Sequence, residues 1–336
     1  FAHYKQGNVK LALKLTDELY ALEPENRRAE SNIRWYENLL QDEGVTPDDM
    51  RRNIPKTKNI RPTNNVVDVE ERNKYEALCR NEVVANHTRT SKLYCYYKSD
   101  QAYLRLSPIK VEVMNLNPLV VIFRKIISDD EIRSLKTLAF PRLRRSTVQH
   151  VKTRKQMTVT NRISESTALS GENHEIVHRI DNRVELMTNL NQETAEELQV
   201  AHYGIGGHYV PHYDYTGEKA PTFPGNGDRI ATTLFYLTEP EMGGATVFTA
   251  LNLAISPSKN DAAFWYNVLR SGESDLRTRH AACPVLVGVK WIATKWVHEV
   301  GQEFHRPCGL NEDSDEAYTD DLGSPLHQYS VNIRSR

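Results

Sequence analysis

The chain has 336 residues, 39% of them hydrophobic and 26% charged, with 43 Lys and Arg against 44 Asp and Glu and a formal net charge of −1. This is the composition of a folded chain with a sizeable core, and its even charge balance supplies no global field to attract nucleic acid or an anionic membrane surface. No apolar run approaches the length that spans a bilayer, and the opening FAHYKQGNVK lacks the apolar core of a signal peptide.

Residues 1–40 carry Ala2, Tyr4, Gly7, Ala12, Leu15, Leu19 and Leu22 at helical spacing, followed by Pro24 and Ala29. The order resembles the end of a tetratricopeptide repeat, in which paired helices meet through small residues; a plain helical hairpin is the simpler alternative. A single repeat cannot bury its apolar face, so the segment is expected to be the C-terminal piece of a helical peptide-binding domain that lacks its N-terminal part. Residues 41–73 turn polar, with Pro47, Pro55 and Pro62, and read as a linker.

Further on, LVVIF at 119–123 predicts a buried strand, and Ser128-Asp129-Asp130-Glu131 is a capping box that starts a helix running to about Ala139. Ile176, Val177, Ile180, Val184, Met187 and Leu190 share one face of a second helix. After Glu197 the pattern changes to short β runs (LQVAHY, HYVPHYDY, RIATTLFYL, ATVF, LAISP, DAAFWYNV, CPVLVGVKWIATKWV) separated by turn formers. Many short strands predict a mainly β domain of jelly-roll type with buttressing helices. The tail 311–336 is acidic, poor in large apolar residues, and expected to be disordered.

The four cysteines fall into two sequence-local pairs, so disulfides Cys79–Cys95 and Cys283–Cys308 are the expected arrangement. A zinc site is the rival, but neither pair has zinc-knuckle spacing. Disulfides persist in the secretory pathway, and Asn86-His87-Thr88 is a glycosylation sequon that agrees with that compartment.

Residues two apart on a strand share a face, so His212 and Asp214 in HYDY are expected to project together. A lone His-X-Asp is more often a surface pair. Here His280 opens another apolar run and Lys290 follows ten residues later in GVKW. Two imidazoles and one carboxylate leave coordination positions open, as in non-haem iron(II) oxygenases. A 2-oxo acid could take two of these positions, and its distal carboxylate would need a buried cation. Lys290 suits that task, although taken alone a strand lysine more often points outward or pairs with a protein carboxylate.

With these residues in place, PRLRRSTV, AEELQVAHYGIGGHYVPHYDY, RIATTLFYL, GGATVF, AFWYN, TRHAACPVLVGVKW and KWVHEVGQEF follow one another in family order. Residues 74–310 resemble the catalytic region of collagen prolyl 4-hydroxylase α subunits. The resemblance implies a double-stranded β-helix in which His212, Asp214 and His280 hold Fe(II) and Lys290 anchors 2-oxoglutarate. It implies oxidative decarboxylation of that co-substrate to succinate and CO2 coupled to hydroxylation of peptidyl proline, with ascorbate as reductant. It also implies the two disulfides, a proline-rich collagen-like peptide as substrate, and a protein disulfide isomerase subunit in a heterotetramer in the endoplasmic reticulum lumen. Tyr203 matches a co-substrate position, against a reading as a half-buried strand aromatic. Tyr209, Arg229, Trp296 and His298 match positions lining a peptide groove.

Asn161 and Ala168 depart from the family pattern, where a tyrosine and a tryptophan are expected, and Asn260 stands in place of a turn glycine. The remaining alternatives are a lysyl or prolyl-3 hydroxylase of the same fold and a catalytically silent procollagen-binding protein.

Overall fold

The computed structural model describes residues 2–58, 69–83, 87–149, 156–157, 162–215, 225–309 and 322–323. The chain divides into two compact units, 1–69 and 70–336.

In the first unit, helices Ala2–Lys5, Val9–Leu22 and Arg27–Asp42 follow one another. Asn26 starts the last of them by accepting the Ala29 N–H at 3.1 Å. Ala12 and Ala29 are small enough for the two long helices to approach closely, and Leu13, Tyr36 and Leu40 fill the contact. The buried face differs in part from the one expected: Ala12 and Ala29 are buried, but Leu15, Leu19 and Leu22 are exposed, and Ala12, Leu13 and Thr16 form the inward stripe of their helix. The unit also extends into the expected linker, since Met50 is buried against the helices and Lys10 pairs with Asp49 at 2.7 Å. The helix Val69–Cys79 likewise begins inside that stretch.

In the second unit the described strands form two main antiparallel sheets. The larger has nine strands in the order 95–98, 109–116, 119–124, 262–266, 229–236, 290–298, 198–203, 165–169 and 144–145. The smaller has five, in the order 253–255, 246–248, 280–282, 208–212 and 162–163. Alternation of side chains explains the continuous apolar runs. In Leu119–Arg124, residues Leu119, Val121 and Phe123 enter a core beneath the helices, whereas Val120 and Ile122 face the smaller sheet. Ala262, Phe264 and Tyr266 divide from Ala263 and Trp265 in the same way.

The helix side of this core is as predicted. Ser128 and Glu131 form a reciprocal capping box at the start of Asp129–Ala139. Val177, Ile180, Val184 and Met187 of Glu175–Thr188 are fully buried, with Leu190 just beyond. The result is helices, large sheet and small sheet in layers, the mainly β architecture expected. Asn260 has φ +76°, the left-handed backbone that its place in a glycine turn predicts.

The cysteine pairing is a correction. The structure joins Cys79 to Cys283, with Cα atoms 5.4 Å apart, and leaves Cys95 and Cys308 exposed and unbonded. The end of the helix Val69–Cys79 packs on the small sheet, where Leu78, Val247, Ala281 and Cys283 form one cluster, so Cys79 meets a residue 204 positions away. Cys95 instead opens a strand at the outer edge of the large sheet. Asn86 and Asn161 lie outside the described residues, as does the expected disordered tail except for Leu322 and Gly323. Leu322 is buried in the main core, with its carbonyl accepting from the Tyr96 hydroxyl at 3.1 Å.

Candidate active site

The strands His208–His212 and His280–Ala282 are antiparallel neighbours, and His212 stands directly opposite His280. Their ring centroids are 4.3 Å apart. Asp214 lies just beyond the end of its strand, so the turn completes what strand alternation alone was expected to supply. Its two carboxylate oxygens are each 3.6 Å from an Nε2, one from His212 and one from His280. Among the described residues, one ligand atom from each of these three side chains lies within 4.8 Å of the others, and no other group of three His, Cys, Asp or Glu is so placed.

Backbone carbonyls set the histidine tautomers. His212 Nδ1 is 2.8 Å from the Val210 carbonyl and His280 Nδ1 is 3.0 Å from that of Thr278. A carbonyl only accepts, so each Nδ1 carries a proton and Nε2 is the ring atom that faces Asp214. Burial keeps His280 neutral, pulling its pKa down to about 4 although Asp214 acts in the other direction. Burial works against the Asp214 carboxylate as well, but His280, His212 and Arg229 outweigh it and hold the group below the usual carboxylate range. Two imidazoles and one carboxylate suit a divalent cation. Tyr209 stacks on His212 at 3.6 Å, while Phe248 and Trp265 wall in His280.

Lys290 opens the strand Lys290–His298, whose even-numbered residues Lys290, Ile292, Thr294 and Trp296 line the same cavity as the three candidate ligands. Its side chain is 1% exposed, and among the described residues Nζ has no hydrogen-bond partner. Tyr203, its opposite residue on the neighbouring strand, and Tyr236 place rings 5.7 and 5.8 Å from Nζ. Burial pushes its pKa down to about 7. The other two lysines buried among the described residues are matched: Lys98 with Asp100 at 2.6 Å and Lys295 with Asp181 at 2.8 Å. Arg279, a further candidate cation, is bound to Glu71.

Of the expected groove residues, Tyr209 and Trp296 line the cavity. Arg229 and His298 lie behind it, both bonded to Glu196, with the Arg229 guanidinium 4.0 Å over the Trp296 ring. Glu196 was not singled out in the sequence, nor was Arg162, a buried cavity residue whose guanidinium donates to Gln199 at 2.6 Å. Neither sits in a recognisable spacing with the triad. Ala168 is exposed on its strand. A larger hollow, about 860 Å³, lies between the helix Asp129–Ala139 and Trp291 on the other side of the sheet, but it holds no set of metal donors.

Residues 198–298, which contain all three candidate ligands and Lys290, match the 2OG-Fe(II) oxygenase superfamily. Residues 1–42 match the prolyl 4-hydroxylase peptide-substrate-binding domain. The chain is homologous along nearly its whole length to prolyl 4-hydroxylase alpha subunits. Subunit alpha-1 of Caenorhabditis elegans is 52% identical over 326 residues, which are 96% of this chain and 58% of that protein. Human subunit alpha-1 is 45% identical over 325 residues, 93% of this chain and 60% of that protein. The chain thus spans about three-fifths of these relatives. The 2OG complex of the viral collagen prolyl hydroxylase from Paramecium Bursaria Chlorella virus-1 aligns at TM-score 0.45 and 27% identity, covering 54% of this chain and 96% of that one, too loose a superposition to fix detail.

Proposed function

We infer that this chain carries the catalytic region of a peptidyl-proline 4-hydroxylase, acting on collagen-like, proline-rich chains. The observation that carries the reading is Lys290: a buried ammonium without a partner among the described residues, in the cavity of the His212, Asp214 and His280 group. A carboxylate ligand would relieve the cost of that unpaired cation, and the distal carboxylate of 2-oxoglutarate is such a group. Iron(II) at the triad would supply the chemistry that splits 2-oxoglutarate and dioxygen to succinate, carbon dioxide and one oxygen atom inserted at the proline ring.

The protein's own part is placement. His212, Asp214 and His280 would hold the metal, and Lys290 would hold the co-substrate, with the Tyr203 ring beside it. Tyr209 and Trp296 offer flat apolar surfaces for proline rings. Behind them, the Glu196 bonds to Arg229 and His298 keep the Trp296 wall in place. An extended, unfolded peptide is the physically reasonable substrate, because a closed triple helix buries part of its ring edges.

Ascorbate as reductant, a protein disulfide isomerase subunit as partner and the endoplasmic reticulum lumen as compartment are part of this proposal. They are supported by the homology to α subunits and by the presence of a disulfide and a sequon. The test is to incubate the chain with iron(II), 2-oxoglutarate, ascorbate and a Pro-Pro-Gly repeat peptide. A gain of one oxygen in peptide mass together with equimolar succinate supports the reading; succinate without peptide oxidation, or neither, overturns it.

A further inference from the structure

Thr232 is fully buried on the strand Arg229–Tyr236, and its Oγ1 lies 2.8 Å from Asp214 Oδ2. Asn267 is also fully buried, just past the strand Ala262–Tyr266, and its Nδ2 lies 2.9 Å from the same Thr232 oxygen. Neither residue lines the cavity. The proton positions follow from donor chemistry. An ionised carboxylate can only accept, so the single hydroxyl proton of Thr232 points at Asp214. The Thr232 oxygen then has only lone pairs to offer Asn267, which must present its amide N–H. Main-chain bonds fix Asn267 in turn: its N–H donates to the Ile230 carbonyl at 2.8 Å, and its carbonyl accepts from the Asp275 N–H at 3.0 Å.

We propose that Thr232 and Asn267 are positioning residues for the metal site: Asn267 sets the direction of the Thr232 hydroxyl, and Thr232 holds one Asp214 oxygen so that the carboxylate stays between the two imidazoles. Asp214 needs this more than the histidines do. Each imidazole is oriented by a carbonyl two residues away on its own chain segment, whereas Asp214 lies past the end of its strand and takes its side-chain support from a different strand. This inference rests on the reading of His212, Asp214 and His280 as metal ligands.

The test measures binding of Mn(II) alone to the full chain, by loss of the free-ion EPR signal, with thermal midpoints recorded in parallel. Thr232→Val keeps the shape and removes the hydroxyl, and is expected to weaken binding about 10- to 100-fold, while Thr232→Ser stays within about threefold of the parent. Asn267→Ala, which frees the hydroxyl to turn away, is expected to lose roughly three- to tenfold. Parent-like Mn(II) affinity in a folded Thr232→Val chain overturns the proposal. If that variant does not fold, parent-like affinity in Asn267→Ala overturns it instead. A parent chain that binds no Mn(II) removes the metal reading itself, an outcome distinct from parent and variants binding alike.

Discussion

Lys290 and Lys295 stand on opposite faces of one strand, and of the two only Lys295 meets a carboxylate, Asp181 at 2.8 Å. Alternation along Lys290–His298 sends Lys290, Ile292, Thr294 and Trp296 to the cavity and Trp291, Ala293, Lys295 and Val297 toward the helices. The two lysines should therefore respond differently to replacement. Lys290→Ala should raise the Michaelis constant for 2-oxoglutarate by roughly thirtyfold or more, the equivalent of about 2–5 kcal/mol, and Lys290→Arg should recover part of the loss. Lys295→Met should leave that constant unchanged and lower stability by about 1.5–3 kcal/mol, read from denaturant midpoints. A 2-oxoglutarate dependence that moves in Lys295→Met and not in Lys290→Ala would transfer the anchor role.

The empty-site pKa of Lys290, lowered to about 7 by burial, makes co-substrate binding pH-dependent. A bound carboxylate favours the ammonium, so binding above pH 7 must take up a proton, and 2-oxoglutarate affinity should fall as pH rises through that range. The stability effect has a definite sign too. The folded pKa lies below the unfolded value near 10.4, so the unfolded chain holds more protons between the two values and the cost of the buried ammonium shrinks as pH rises. Lys290→Met should accordingly stabilise the co-substrate-free chain most below pH 7 and progressively less toward pH 10. Calorimetric binding in buffers of different ionisation enthalpy checks the first statement, and thermal melts across pH check the second.

Replacing His212, Asp214 or His280 with Ala should abolish peptide hydroxylation while the far-UV circular dichroism of the chain persists. His212 and His280 sit on paired strands and Asp214 two residues past the end of one, so the surrounding framework does not depend on the three side chains. Turnover within tenfold of the parent in any one variant would remove that residue from the site.

For the disulfide, peptide mapping of unreduced protein should recover Cys79 linked to Cys283, and iodoacetamide should label Cys95 and Cys308 without prior reduction. Breaking the bond by Cys283→Ala should cost about 2–5 kcal/mol. A linked Cys79–Cys95 peptide would instead restore the pairing that sequence proximity suggests.

What the sequence by itself determined is everything that depends on local periodicity and local chemistry. Short β-type runs between turn formers located the strands from Leu198–Tyr203 to Lys290–His298, a three-residue spacing identified the Ser128–Glu131 capping box, and a helical stripe identified the buried face of Glu175–Thr188. The candidate ligands were legible because a His-X-Asp, a later His and a strand lysine are unusual residues for such apolar surroundings. Tertiary structure decided whatever depends on which distant segments meet. Cys79 found Cys283 across 204 residues because a helix end docks on the small sheet. Glu196 gathers His298 from 102 residues away, and Thr232 gathers Asn267 from 35. In the helical unit, an apolar stripe with two usable sides left the choice to packing, which took Leu13 and exposed Leu15 and Leu19. Local patterns fix which way a side chain points relative to its own element, whereas sheet register and helix docking, set by the fit of the whole core, fix what it points at.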